Sequence, residues 1–75
     1  MPESLHILLE NSFRIAWEYL EATGELGQPD AASRFLADAI ETMIRRGERR
    51  KILLSNKAIA QYQAYRQKTI VFEPA

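Results

Sequence analysis

The apolar positions of residues 4–23 recur at helical spacing. At about 100° per residue, Ile15, Leu8, Tyr19, Leu5, Ala16, Leu9, Leu20, Phe13 and Trp17 fall in one arc about 200° wide. Glu10, Asn11, Arg14, Glu18 and Glu21 fill the opposite side, where Ile7 is the only misplaced apolar residue. Ser4 is suited to an N-cap, because its hydroxyl can accept a backbone N–H of the first turn. Gly24 suits the C′ position, where the left-handed conformation closes a helix. A first helix over about 4–23 follows. Its arc is wider than one neighbour covers, so it is expected to touch two elements, from this chain or from a second one.

The stretch GELGQPD, residues 24–30, reads as a loop. Either Asp30 caps the next helix, or Gln28 does and Pro29 takes the first helical position, where its missing N–H is harmless. The second helix is expected over about 30–46. Phe35, Ala39, Ala32, Met43, Leu36, Ile40 and Ile44 share one face, and Arg34, Asp38, Glu41 and Arg45 the other. Ala32 and Ala39 leave room for a neighbouring helix to approach closely. So short a connection makes the first two helices an antiparallel hairpin. Arg45 and Arg46 fall in the last turn, where the helix dipole favours cations, and Gly47 supplies the stop.

Beyond Gly47 the pattern is weaker. Glu48–Lys51 reads as a single turn and residues 51–55 as extended chain. Ser55 is the expected N-cap of a third helix, about 56–68, with Ala58, Ile59, Tyr62 and Tyr65 facing inward. Thr69, Ile70, Val71 and Phe72 read as a short strand, rich in β-branched and aromatic residues and closed by Pro74. Its pairing partner would be residues 51–55 or the same tail of a second subunit.

The fold class expected is therefore all-α: one small three-helix domain over residues 1–75, built on an antiparallel helical hairpin, with a short extended C-terminal tail. The expected core is Leu5, Leu8, Leu9, Ala16, Tyr19, Leu20, Phe35, Leu36, Ala39, Ile40, Met43, Ile44, Ile59 and Tyr62.

Composition narrows the function. A chain of 75 residues lies near the size at which a single core is only just sufficient, which favours a partner subunit. It contains no cysteine, so disulfides and thiolate metal sites are excluded, and a reducing compartment suits it. The opening residues lack the basic region of a signal peptide, and no apolar run approaches the roughly 20 residues of a spanning helix. A cytoplasmic location is expected. Helix 1 does not read as membrane-surface-seeking, because its polar side is acidic.

The formal net charge is zero, but it is unevenly distributed. Residues 1–30 carry six carboxylates against Arg14, and residues 31–75 carry nine Lys/Arg against four carboxylates. Either the halves pair, within the chain or across a dimer, or a basic face meets an acidic partner. The densest positive run is Arg45, Arg46, Arg49, Arg50 and Lys51, against Glu48 alone. These five are the candidate partner-binding residues.

Chemistry beyond binding finds little support. One histidine, His6, and scattered carboxylates form no metal-ligand cluster, and His6 is expected to be structural. Glu18 and Glu21 share a helix face, but it is the solvated one. No nucleophile elbow or phosphate-binding loop is present. No catalytic residue, cofactor, metal or small-molecule ligand is inferred. Ile59-Ala60 and Thr69-Ile70 stand at the spacing of helix-turn-helix DNA readers. Gln63, Ala64 and Arg66 replace that pattern's leucine, glycine and serine, and only five residues follow Ile70, leaving no recognition helix. The function expected is a small non-enzymatic protein–protein interaction or regulatory module that self-associates. The alternative is a regulatory nucleic-acid binder using the basic segment 45–51.

Overall fold

The computed structural model describes the backbone of residues 4–71 and the side chains of residues 4–67. Three helices make up the fold: α1 (Leu5–Ala22), α2 (Pro29–Arg45) and α3 (Lys51–Val71). Each packs against the other two, giving the all-α three-helix domain that the periodicity predicts.

The ends of α1 follow from local chemistry. Ser4 is the N-cap, its hydroxyl accepting the Ile7 N–H at 3.1 Å. At the other end Gly24 sits at φ +77°, and the chain closes in a Schellman turn. The Glu25 N–H donates to the Leu20 carbonyl at 2.8 Å and the Gly24 N–H to that of Glu21 at 3.2 Å. Helix α2 starts by the second of the two routes left open: Gln28 is the N-cap and Pro29 the first helical residue. Gly47 closes it in the same manner as Gly24, at φ +108°.

Helix α3 departs from the sequence expectation. It begins at Lys51, not Asn56, so residues 51–55 are helical rather than extended. Ser55 is not an N-cap. It is fully buried, and its Oγ donates back to the carbonyls of Lys51 (3.1 Å) and Ile52 (3.0 Å). Back-bonding of this type lets a serine sit inside a helix with its hydroxyl satisfied. Residues 69–71 are helical, not a strand. Neither Gly nor Pro stands between Gly47 and Pro74, and adding a residue to an existing helix gains a hydrogen bond that an unpaired strand would lack. The extended tail expected from Phe72 onward lies outside the described residues.

The core contains Leu8, Ala16 and Leu20 of α1, Ala32, Leu36, Ala39, Ile40 and Ile44 of α2, and Leu54, Ala58 and Tyr62 of α3. Leu9, Phe13, Trp17, Phe35, Met43 and Ile59 pack around it, half-buried. Two expected core residues are outside it: Leu5 is 48% exposed and Tyr19 47%. Along α1 the buried line is Leu8, Ser12, Ala16, Leu20, with small residues at its centre. Ser12 fits there because its Oγ donates to the Leu8 carbonyl at 2.8 Å. Small residues bring the helices close, so the buried strip is narrower than the apolar arc and its flanks face outward.

A latch at one end fixes α3 against the loop between α1 and α2. The Tyr62 hydroxyl donates to the Leu26 carbonyl at 2.5 Å, and Arg66 Nη1 to the Glu25 carbonyl at 2.6 Å. Gln63 Nε2 donates to Glu25 Oε1 at 3.0 Å. Together with the two short connections, this sets α3 antiparallel to α2 and parallel to α1.

Candidate interaction surfaces

The five cations singled out in the sequence lie together at the turn from α2 to α3, but most are engaged in building it. Arg45 Nη2 bridges to Glu41 Oε2 one turn earlier, at 3.0 Å. Arg49 Nη1 donates to the Ile44 carbonyl at 2.6 Å, which also accepts the Gly47 N–H, and to the Glu48 carbonyl in the turn at 2.9 Å, tying the turn to the end of α2. Glu48 Oε2 accepts the N–H groups of Arg49 (3.2 Å) and Arg50 (3.0 Å), and Arg50 Nε at 3.2 Å. The carboxylate thereby ties off the start of α3. These bonds, led by the Arg50 backbone N–H and then its side chain, hold the Glu48 carboxyl below its ordinary pKa. Arg46 and Lys51 have no ion pair or side-chain hydrogen bond among the described residues.

The acidic residues of α1 occupy a different surface. A groove between α1 and α2 is lined by Glu10, Phe13, Arg14, Trp17, Glu18, Glu21 and Ser33. Phe13 and Trp17 are among its lining residues, their rings stacked with centroids 5.6 Å apart and planes 22° from parallel. Among the described residues, ion pairing of the lining carboxylates is limited to Glu10, whose Oε2 lies 3.8 Å from His6 Nε2. Both of those side chains are exposed, so His6 makes no core contact. Sequence reasoning missed the groove because it placed Phe13 and Trp17 in one wide apolar arc together with the core-facing residues of α1. Their four-residue spacing, flanked by Glu10, Glu18 and Glu21, was the available signal.

A third surface gathers aromatic rings beside the latch. Phe35 contacts Tyr62 (centroids 5.4 Å) and Tyr65 (4.9 Å), and the two tyrosines are 6.2 Å apart. Tyr62 is buried, whereas Tyr65, expected to face inward, is 48% exposed. Nearby, Glu25 has its carboxyl held below the ordinary pKa by hydrogen bonds from Gln63 and then Thr23, with the Arg66 charge adding to them.

No group of three or more His, Asp or Glu among the described residues could hold a metal ion. No described helix is long and apolar enough to cross a membrane. No protein-family model, curated protein or solved structure matches this chain.

Proposed function

We propose that this protein is a small, non-enzymatic, cytoplasmic interaction module that associates with a second copy of itself. The observation that carries the reading is where its ion pairs form. Among the described residues the ion pairs His6–Glu10, Arg45–Glu41 and Arg50–Glu48 are all local along the chain, and no salt bridge joins the acidic side of α1 to the basic α2–α3 turn. Apart from the Arg66 charge beside Glu25, the charge asymmetry of the sequence is little used between the described helices, which leaves it available between molecules. Large apolar side chains stand beside it: Leu5, Ile7, Tyr19, Ile52 and Tyr65 are each 45% exposed or more. Opposite charges then set the register of an association to which apolar contact adds affinity.

Sedimentation equilibrium across the micromolar range tests the reading. A concentration-dependent rise toward twice the monomer mass is expected, weakening as salt is added. A single monomeric species at every concentration would refute it.

Nucleic-acid binding has a narrower base. It draws on Arg46 and Lys51, the cations of the turn without a side-chain partner among the described residues, while Arg45, Arg49 and Arg50 hold bonds within it. Titration against duplex and single-stranded oligonucleotides at low salt separates the readings. Tight binding that falls steeply with salt would favour this one.

A further inference from the structure

The latch that holds α3 against the first loop borders an open cavity of about 640 Å³. Gly27, Gln28 and Pro29 line it from the loop and the start of α2, and Tyr62, Tyr65 and Arg66 from α3. A volume of this order lies within the range of pockets that take small ligands. No carboxylate is among the lining residues, and Arg66 is their one charged group. The cavity is thus cationic, although the chain as a whole carries no net charge.

Arg66 differs from an ordinary surface arginine in being held. Its Nη1 donates to the Glu25 carbonyl at 2.6 Å. Its guanidinium also lies close against Gly27, where a Cβ would stand 3.1 Å from both Cζ and Nη1. The missing side chain at Gly27 therefore makes room for the guanidinium beside the loop. The Glu25 carboxylate is near enough to feel this charge, but its hydrogen bonds go to Gln63 (3.0 Å) and Thr23 (2.8 Å). Arg66 Nε and Nη2 donate to no described residue. That pair of donors is the fork that grips both oxygens of one carboxylate. A side chain already fixed loses little freedom on binding, which removes much of the usual ordering cost.

A ring face supplies the second half of the recognition. Tyr65 is 48% exposed and packs on Phe35 with centroids 4.9 Å apart and planes 30° from parallel. A further flat ring extends such a pair by stacking. Gln28 adds an amide to the same lining, and its side chain makes no capping bond to α2.

We propose that this cavity binds a small aromatic carboxylate, with its oxygens on Arg66 and its ring stacked at Tyr65. The inference is independent of self-association. A bound ligand of this kind spans α3 and the first loop, and so reinforces the latch.

Amide NMR of the isotope-labelled chain, titrated with benzoate, tests the proposal. Saturable shifts in the millimolar range are expected at Gly27, Gln28 and Tyr65. Benzamide keeps the ring without the charge, and cyclohexanecarboxylate keeps the charge without a flat ring. Each is expected to bind at least about tenfold more weakly than benzoate. Arg66→Lys keeps a cation but loses the fork, and Tyr65→Ala removes the stacking face. Either change is expected to weaken benzoate binding by about the same factor. Should the Arg66 variant fail to fold, Tyr65→Ala and the three-ligand comparison on the wild-type chain still decide. Shifts that do not saturate, a control that binds as well as benzoate, or an affinity unchanged in a folded variant would overturn the site.

Discussion

Leu54 lies in the first turns of α3, in the segment whose sequence suggests extended chain, and it is fully buried. Leu54→Ala removes most of a side chain enclosed by the core and leaves a space its neighbours only partly refill. Fully buried Leu→Ala changes cost about 3–5 kcal/mol. A domain of this length has a total stability of about 4–11 kcal/mol, so the substitution is expected to remove about a quarter of it or more. Each kcal/mol corresponds to about 4–8 °C in melting temperature for a domain of this size, so a fall of at least ~12 °C is expected. Two residues earlier, Ile52 is 60% exposed, and Ile52→Ala should change stability by about 0.5 kcal/mol or less. Urea unfolding followed by circular dichroism, at one fixed protein concentration, measures both. A loss below about 1 kcal/mol at Leu54, or a larger loss at Ile52, would refute the reasoning that α3 begins at Lys51 and turns Leu54 inward.

Glu48 makes stability depend on pH in a defined direction. Its folded pKa lies below the ordinary 4.5, so its contribution is present above that value and is lost as pH falls through the folded pKa. In thermal melts, Glu48→Gln should be less stable than wild type at neutral pH, and the gap should close below about pH 4.5. A gap that persists at the acid end would show that the charge is not responsible. Tyr62→Phe removes the donor to the Leu26 carbonyl while keeping the ring against Phe35, and is expected to lose about 1–2 kcal/mol in urea unfolding. No measurable loss would mean that water takes over the carbonyl without penalty.

The hairpin could be read from the chain because its signals agree. In α1 and α2 the periodicity, the N-cap Ser4, the prolyl start at Pro29 and the glycines at 24 and 47 all point to the same boundaries. The start of α3 was hidden because Ser55 suits two roles, and the sequence does not say whether its hydroxyl caps a helix or bonds back within one. The spacing of Leu54, Ala58 and Tyr62 carried the answer, with Glu48 placed to receive the N–H groups ahead of α3. Leu5 and Tyr19 were placed inside because a helical wheel gives direction but not depth. Which arginines of the basic run are engaged was not legible either. The Arg49–Ile44 bond spans Gly47, and a count of charges carries no information on a backbone carbonyl as partner.

The latch between α3 and the first loop has a bearing on folding kinetics. Its bonds join residues 36, 38 and 41 positions apart, whereas α1 and α2 are linked by a short local connection. Bringing distant segments together loses more chain entropy than closing a hairpin, so local pairing is favoured early and the latch late. Interactions absent from the transition state govern how fast the native state opens, not how fast it forms. Tyr62, Gln63 and Arg66 therefore act as a brake on unfolding. Loosening them would shorten the lifetime of the folded chain while leaving its rate of assembly nearly untouched.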